Sequence, residues 1–154
     1  MTDFNKYVPF LESTDFENGK LKVDKIEKQF RIAVDPSRIA PKNYTIICLV
    51  KATWCGHCVH FMPEYAEFAK AMEDKLTTEN SVIRCVAVEQ TDADSFNAFT
   101  KHIKEIKGFP SVVAFNSDGV CIEKEHRGQR NFDALYKYAN QCVIEGYKEP
   151  VKRK

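Results

Sequence analysis

The chain has 154 residues, of which 44% are hydrophobic and 29% charged, the composition of one globular domain with room for a real core. Lysine plus arginine is 23 against 22 acidic residues, a net charge of +1, which gives no electrostatic reason to expect a nucleic-acid partner. No run approaches the ~20 apolar residues of a membrane span, so no membrane partner is expected.

The first residues, Met1-Thr2-Asp3-Phe4-Asn5-Lys6, lack the apolar centre of a secretory signal. The C-terminus carries no Lys-Asp-Glu-Leu-type retention signal. The expectation is a cytoplasmic, reducing location.

Residues 1–43 read as an N-terminal extension holding the first strand and helix. Val8-Pro9-Phe10-Leu11 reads as an edge strand, because proline cannot donate to a ladder. Asn18-Gly19 signals a turn, with Lys20 to Val23 alternating after it. A helix with Val23, Ile26, Phe30, Ala33 and Val34 on one face then runs to Pro36, and a loop with Pro41 follows.

Residues 44–146 form the expected core. Tyr44 to Val50 is an apolar, β-branched run, as in a strand covered on both faces. A helix pattern runs from Cys58 to about Thr77, with the stripe Cys58, Met62, Tyr65, Ala69, Met72 and Leu76. Val82 to Val88 is a second buried strand. Asp94 is placed to cap a helix bearing Phe96, Phe99, Ile103 and Ile106, which Gly108-Phe109-Pro110 ends. Ser111 to Phe115 is a strand, Asn116-Ser117-Asp118-Gly119 a turn, and Val120 to Glu125 the returning arm. Asn131 caps a last helix with Phe132, Leu135, Tyr138, Ala139 and Cys142 on one face. The order predicts an α/β fold, with βαβ crossovers linking the first three strands of the core and an antiparallel edge at the final pair. Residues 147–154, ending Lys152-Arg153-Lys154, read as a solvated basic tail.

Of six cysteines, Cys48, Cys85, Cys121 and Cys142 lie in apolar strand or helix patterns and read as small buried hydrophobes. Cys55 and Cys58 differ. In Trp54-Cys55-Gly56-His57-Cys58 the first cysteine follows a strand and opens a helix, and the second lies one turn in. Free N–H groups and the helix dipole favour a thiolate at Cys55, and the thiolate is the attacking species. Cys58 is then spaced to attack a mixed disulfide and release its partner.

These residues resemble the thioredoxin superfamily, and Trp-Cys-Gly-His-Cys is similar to the motif in the catalytic domains of protein disulfide isomerases. Pro63, eight residues after Cys55, matches the proline of the family's active-site helix. Phe109-Pro110 matches an aromatic–proline pair with a cis bond that holds extended substrates, and Gly128 matches the glycine after the last strand. The resemblance implies a thioredoxin fold, a mixed central sheet flanked by helices. It implies catalysis by Cys55, Cys58 and His57, with support from Trp54, Gly56, Pro63 and Lys107 and substrate binding at Phe109 and Pro110. No cofactor or metal is implied. Protein thiols and disulfides are the expected substrates, served by a partner oxidase or reductase.

The resemblance also places His57 with isomerases rather than with thioredoxin. Their couples lie near about −180 and −270 mV, a gap on the order of 4 kcal/mol for two electrons. A partly protonated histidine beside the thiolate stabilises the reduced form, which predicts an oxidising or isomerising couple.

Two departures stand out. Leu49 occupies the position of the family's buried acid, six residues before Cys55, so resolution by Cys58 is expected to be slow. Lys51 shares the parity of Leu49 and could add positive potential near the cysteine pair, although a strand-end lysine more often reaches solvent. Lys107 keeps the charge of the family's arginine without its fork. An isomerase-type motif in a chain with no secretory signal also fits a large DNA virus that forms disulfides in the cytoplasm. Two other readings compete with exchange. One is zinc at Cys55 and Cys58 with His57 or His60, which lacks a second well-spaced pair. The other is a thioredoxin-fold interaction or structural module with little turnover, such as a virion component, with the N-terminal forty residues as a docking arm.

Overall fold

The computed structural model describes residues 2–26, 44–79, 83–122, 125–126 and 128–146. Phe30, Ala33, Val34, Pro36, Pro41 and the 152–154 tail lie outside it, as does the side chain of Leu76.

A four-stranded sheet in the order β4-β3-β5-β6 is built from β3 (Thr45–Lys51), β4 (Ile83–Glu89), β5 (Ser111–Phe115) and β6 (Cys121–Ile122). All seven residues of β3 are buried, which explains its unbroken apolar run: both faces are covered. On one face Ile47, Leu49, Cys85 and Ala87 meet α2 (Gly56–Glu79) and α4 (Phe132–Gly146). On the other, Cys48, Val50, Val86 and Val88 meet Phe99 of α3 (Ala93–His102) and Phe16 and Leu21 of a short hairpin, β1 (Phe16–Glu17) and β2 (Lys20–Leu21). The hairpin turns through Asn18 and Gly19, both with positive φ, the pattern of a type I′ turn. Residues 24–26 are helical, in keeping with strand, turn, then helix.

β3 and β4 are parallel, joined by α2 as a βαβ unit. The second expected crossover is replaced by an antiparallel pairing of β5 with β3, Leu49 facing Val112 and Val50 facing Ser111. The reason lies before β5. Helix α3 stops at His102 rather than at Gly108, and residues 103–110 carry the chain back to the C-terminal end of β3. Strand β5 therefore starts where β3 ends.

Local corrections follow from cap geometry and packing. Asp92, not Asp94, caps α3: it has extended backbone, and its carboxylate accepts from Ser95 N–H at 3.3 Å and Ser95 Oγ at 2.9 Å. Asp94 falls in the first turn, where its charge suits the helix dipole. The buried stripe of α2 includes Phe61 and Phe68, while Met62 is half-buried and faces an apolar groove with Phe4 and Val59. Asn131 caps α4 through Ala134 N–H at 2.9 Å, and Glu64 of α2 accepts from Phe132 N–H at 3.0 Å.

The N-terminal residues are part of this packing. Helix α1 (Phe4–Tyr7) lies against α2, and Phe4 stacks on Tyr65 at 6.2 Å. In place of a full edge strand, residues 9–11 make one parallel bridge to β4. Ala87 N–H donates to Pro9 at 3.0 Å and Leu11 N–H donates to Ala87 at 2.8 Å. Proline tolerates this place because only its carbonyl is used.

Candidate active site at the Cys55–Cys58 helix start

Three segments converge at the C-terminal end of β3. The first is the turn from Ala52 to Cys55, closed by Cys55 N–H donating to the Ala52 carbonyl at 3.1 Å. The second is the first turn of α2, and the third is the loop ending in Phe109-Pro110, whose peptide bond is cis. Ala52, Cys55 and Cys58 form a small buried cluster with Phe109 packed against it. Both cysteines are thiols.

Cys55 keeps 7% of its surface exposed, whereas Cys58 is fully buried. Burial works against ionisation of Cys55. The Cys58 thiol, the N–H groups of Cys58 and His57, and the charge of Arg130 outweigh it and hold the Cys55 thiol below its usual value. The Cys58 N–H donates to Cys55 Sγ at 3.3 Å, as the open first turn of a helix allows. Cys58 is pushed up to about 11 by burial, by sharing its proton with Cys55 and by the Cys55 charge. The Ala52 N–H and Lys51 pull the other way. The two thiols are therefore split, one ready to attack and one held protonated.

Phe109 supplies a carbonyl 3.5 Å from Cys55 Sγ, to which the thiol donates. Its ring meets Trp54 edge-on at 5.7 Å and Phe96 at 5.8 Å. Trp54 is 65% exposed and donates from Nε1 to Gln90 Oε1 at 2.9 Å, so it stands as a fixed wall beside Cys55. His57 and Gly56 are exposed on the first turn of α2. His57 reaches Cys55 through its backbone N–H. Pro63 lies inside α2 on an exposed position, without an N–H for the Val59 carbonyl. Lys107 is exposed and lines a polar groove of about 640 Å³ together with Gly108, Phe109, Pro110, His126 and Arg130.

Lys51 does not reach solvent. It is 4% exposed, its Nζ lies 2.5 Å from Glu89 Oε1, and it sits over the Phe10 ring at 5.7 Å. Leu49 is fully buried in the apolar cluster, opposite Ala87. Arg130, Glu89 and Gln90 were not singled out by sequence. Glu89 had a signal: it ends β4 as Lys51 ends β3, although only the register makes them partners. Arg130 and Gln90 had none beyond position. Among the described residues, no group of three or more His, Cys, Asp and Glu is placed to hold a metal, and no helix is long and apolar enough to cross a membrane.

Residues 23–141 match the family model for Thioredoxin. The chain is 34% identical to the maize protein disulfide-isomerase over 98 residues, covering 64% of this chain and 18% of that protein. It is 31% identical to the wheat protein disulfide-isomerase over 108 residues, covering 70% and 20%. It thus spans about a fifth of the length of these relatives. The first thioredoxin domain of mouse protein disulfide-isomerase A4 superposes with a TM-score of 0.52 at 20% identity, covering 90% of this chain and 86% of that one. The zinc-bound form of human ERp44 gives 0.57 at 19% identity, covering 88% and 31%. With a family match reaching from just after the N-terminal hairpin into α4, and a neighbour of nearly its own length sharing the fold, the chain belongs to the thioredoxin family.

Proposed function

We propose that this domain exchanges disulfides with protein substrates through Cys55 and Cys58, as an oxidising or isomerising couple. The observation that carries the reading is the split of the two thiols, Cys55 lowered and Cys58 raised, across one N–H···S contact. The Cys55 thiolate attacks one sulfur of a substrate disulfide, the substrate S–S bond breaks, and one substrate sulfur leaves as a thiolate. Cys58 loses its proton and attacks Cys55 Sγ, breaking the mixed disulfide and releasing the second substrate sulfur. Two electrons pass to the substrate and the domain becomes oxidised; the reverse sequence oxidises a dithiol. Release of the mixed disulfide to a different substrate thiol gives isomerisation. The Phe109 carbonyl stands 3.5 Å from the attacking sulfur and Trp54 meets the Phe109 ring edge-on, which supports a substrate path along Phe109-Pro110 in this reading.

A redox titration of the pair, run with insulin-reduction and scrambled-ribonuclease assays, tests this. The expected potential lies near about −180 mV, with refolding activity that Cys55→Ser abolishes. Inertness of both the oxidised and the reduced protein overturns the reading in favour of a binding module.

A further inference from the structure

The resolving step needs a Cys58 thiolate, yet Cys58 is fully buried. The neighbouring strand position that faces the same side of the sheet, Leu49, offers no polar atom. Among the described residues, charged and titratable groups approach Cys58 from three directions. On its own helix are Cys55 and the exposed His57 and His60. Arg130, before α4, is exposed and favours the Cys55 thiolate, and Lys107 of the Phe109-Pro110 loop is exposed. From the strand ends come Lys51 and its partner Glu89.

Lys51 is the one cation among these that is both buried and fixed. It precedes Ala52, which packs against Cys58, and it shares the sheet face of Leu49, the face that α2 covers. A buried ammonium is costly unless paired, and Glu89 Oε1 supplies the pair. The other carboxylate oxygen accepts from Thr53 N–H at 3.0 Å, Thr91 N–H at 3.1 Å and Thr91 Oγ1 at 2.9 Å. Glu89 is thereby anchored to the two turns bordering the site, and it holds Lys51 inside. With its lone pairs engaged and its acidity increased, Glu89 is a poor proton acceptor. The pair therefore acts by charge: Lys51 is held buried one residue before Ala52, on the inner side of the site, and its charge favours the Cys58 thiolate.

Resting on the exchange reading above, we propose that Lys51, clamped by Glu89, is the positioning residue that makes Cys58 available for the resolving step. It does so by stabilising the Cys58 thiolate beneath the mixed disulfide. The proton leaving Cys58 ends, through solvent, on the departing substrate sulfur, so the balance needs no further reactant.

The test follows the two phases of the reaction of the reduced protein with dithionitrobenzoate, by stopped flow from pH 5 to 10. The first phase loads Cys55 with thionitrobenzoate, and the second reports attack by Cys58. Lys51→Met removes the cation. Lys51→Met/Glu89→Gln removes the whole pair and avoids leaving a buried anion alone. Lys51→Arg keeps the charge. Expected is a second phase slowed about three- to tenfold at pH 7 in both Met variants, its pH profile displaced upward. The first phase stays nearly unchanged, and Lys51→Arg retains the wild-type profile. A second-phase profile in the double variant that overlays wild type overturns the assignment of Lys51. Absence of the first phase from the wild-type protein overturns the exchange reading itself.

Discussion

The backbone N–H of Cys58 points at the sulfur of Cys55 across 3.3 Å, so the second cysteine stabilises the first before either has reacted. The contact exists because helix α2 starts at Gly56 and leaves its first N–H groups open. It makes the nucleophile a property of the helix start as much as of the thiol.

The two thiols should alkylate in separate pH ranges. Burial resists ionisation of Cys55, but its N–H donors and Arg130 prevail, so its reaction with iodoacetamide has a midpoint below that of a free cysteine. Cys58 is pushed up to about 11 in the intact pair; Cys55→Ser removes the two contributions from Cys55 but leaves burial, the largest, so Cys58 is expected to react at a midpoint above that of a free cysteine and below the wild-type one. Mass-resolved alkylation of each single-cysteine variant checks both.

Arg130 contributes through space from an exposed position. Arg130→Gln should raise the Cys55 midpoint and slow its alkylation near pH 6 by up to about twofold, a small effect because solvent screens the charge. Adding potassium chloride to wild type should move the rate in the same direction, and the variant should be less sensitive to salt.

Glu89 makes stability depend on pH in a definite sense. Burial raises its pKa, but hydrogen bonds from Lys51, Thr91 and Thr53 more than offset this and leave it below an ordinary carboxylate. Its contribution is complete above the unfolded value of about 4.3 and is lost as the pH falls through the lower folded value. Glu89→Gln should therefore have a lower urea midpoint than wild type at pH 7, with the difference narrowing below about pH 4.

The turn before β6 tolerates no side chain. Gly119 has φ +82, and a Cβ there would lie 1.9 Å from the Leu21 carbonyl oxygen. Its own carbonyl accepts from Leu21 N–H at 2.9 Å, so the turn is held against the N-terminal hairpin. Gly119→Ala should cost roughly 2–4 kcal/mol, read as a lowered urea midpoint at unchanged slope.

Sequence made the strands legible where burial on both faces leaves a long apolar run, as in β3 and, Arg84 apart, in β4, and β5 was legible over its full extent. Strand direction was not legible. The same five residues of β5 serve a parallel or an antiparallel partner, and the early stop of α3 at His102 decides between them. The cysteine pair and the Phe109-Pro110 peptide could be picked out because proline and paired cysteines constrain the chain locally. Lys51 was misplaced because its burial depends on Glu89, which is 38 residues away and adjacent only through the register of β3 on β4. Asp92 and Asp94 offer the same carboxylate two residues apart, and the choice fell to Ser95, which bonds back to Asp92.

The single bridge at Phe10 also bears on how this domain meets other copies of itself. Strand β4 is the outer member of the sheet, and an uncovered outer strand presents a row of free N–H and C=O groups as a template for another chain. Pro9 and Leu11 engage both polar groups of Ala87 near its middle, and proline adds no new donor to replace them. Three residues of the N-terminal segment thus act as a stopper against strand-to-strand aggregation. A version trimmed before β3 would retain both cysteines and expose that edge.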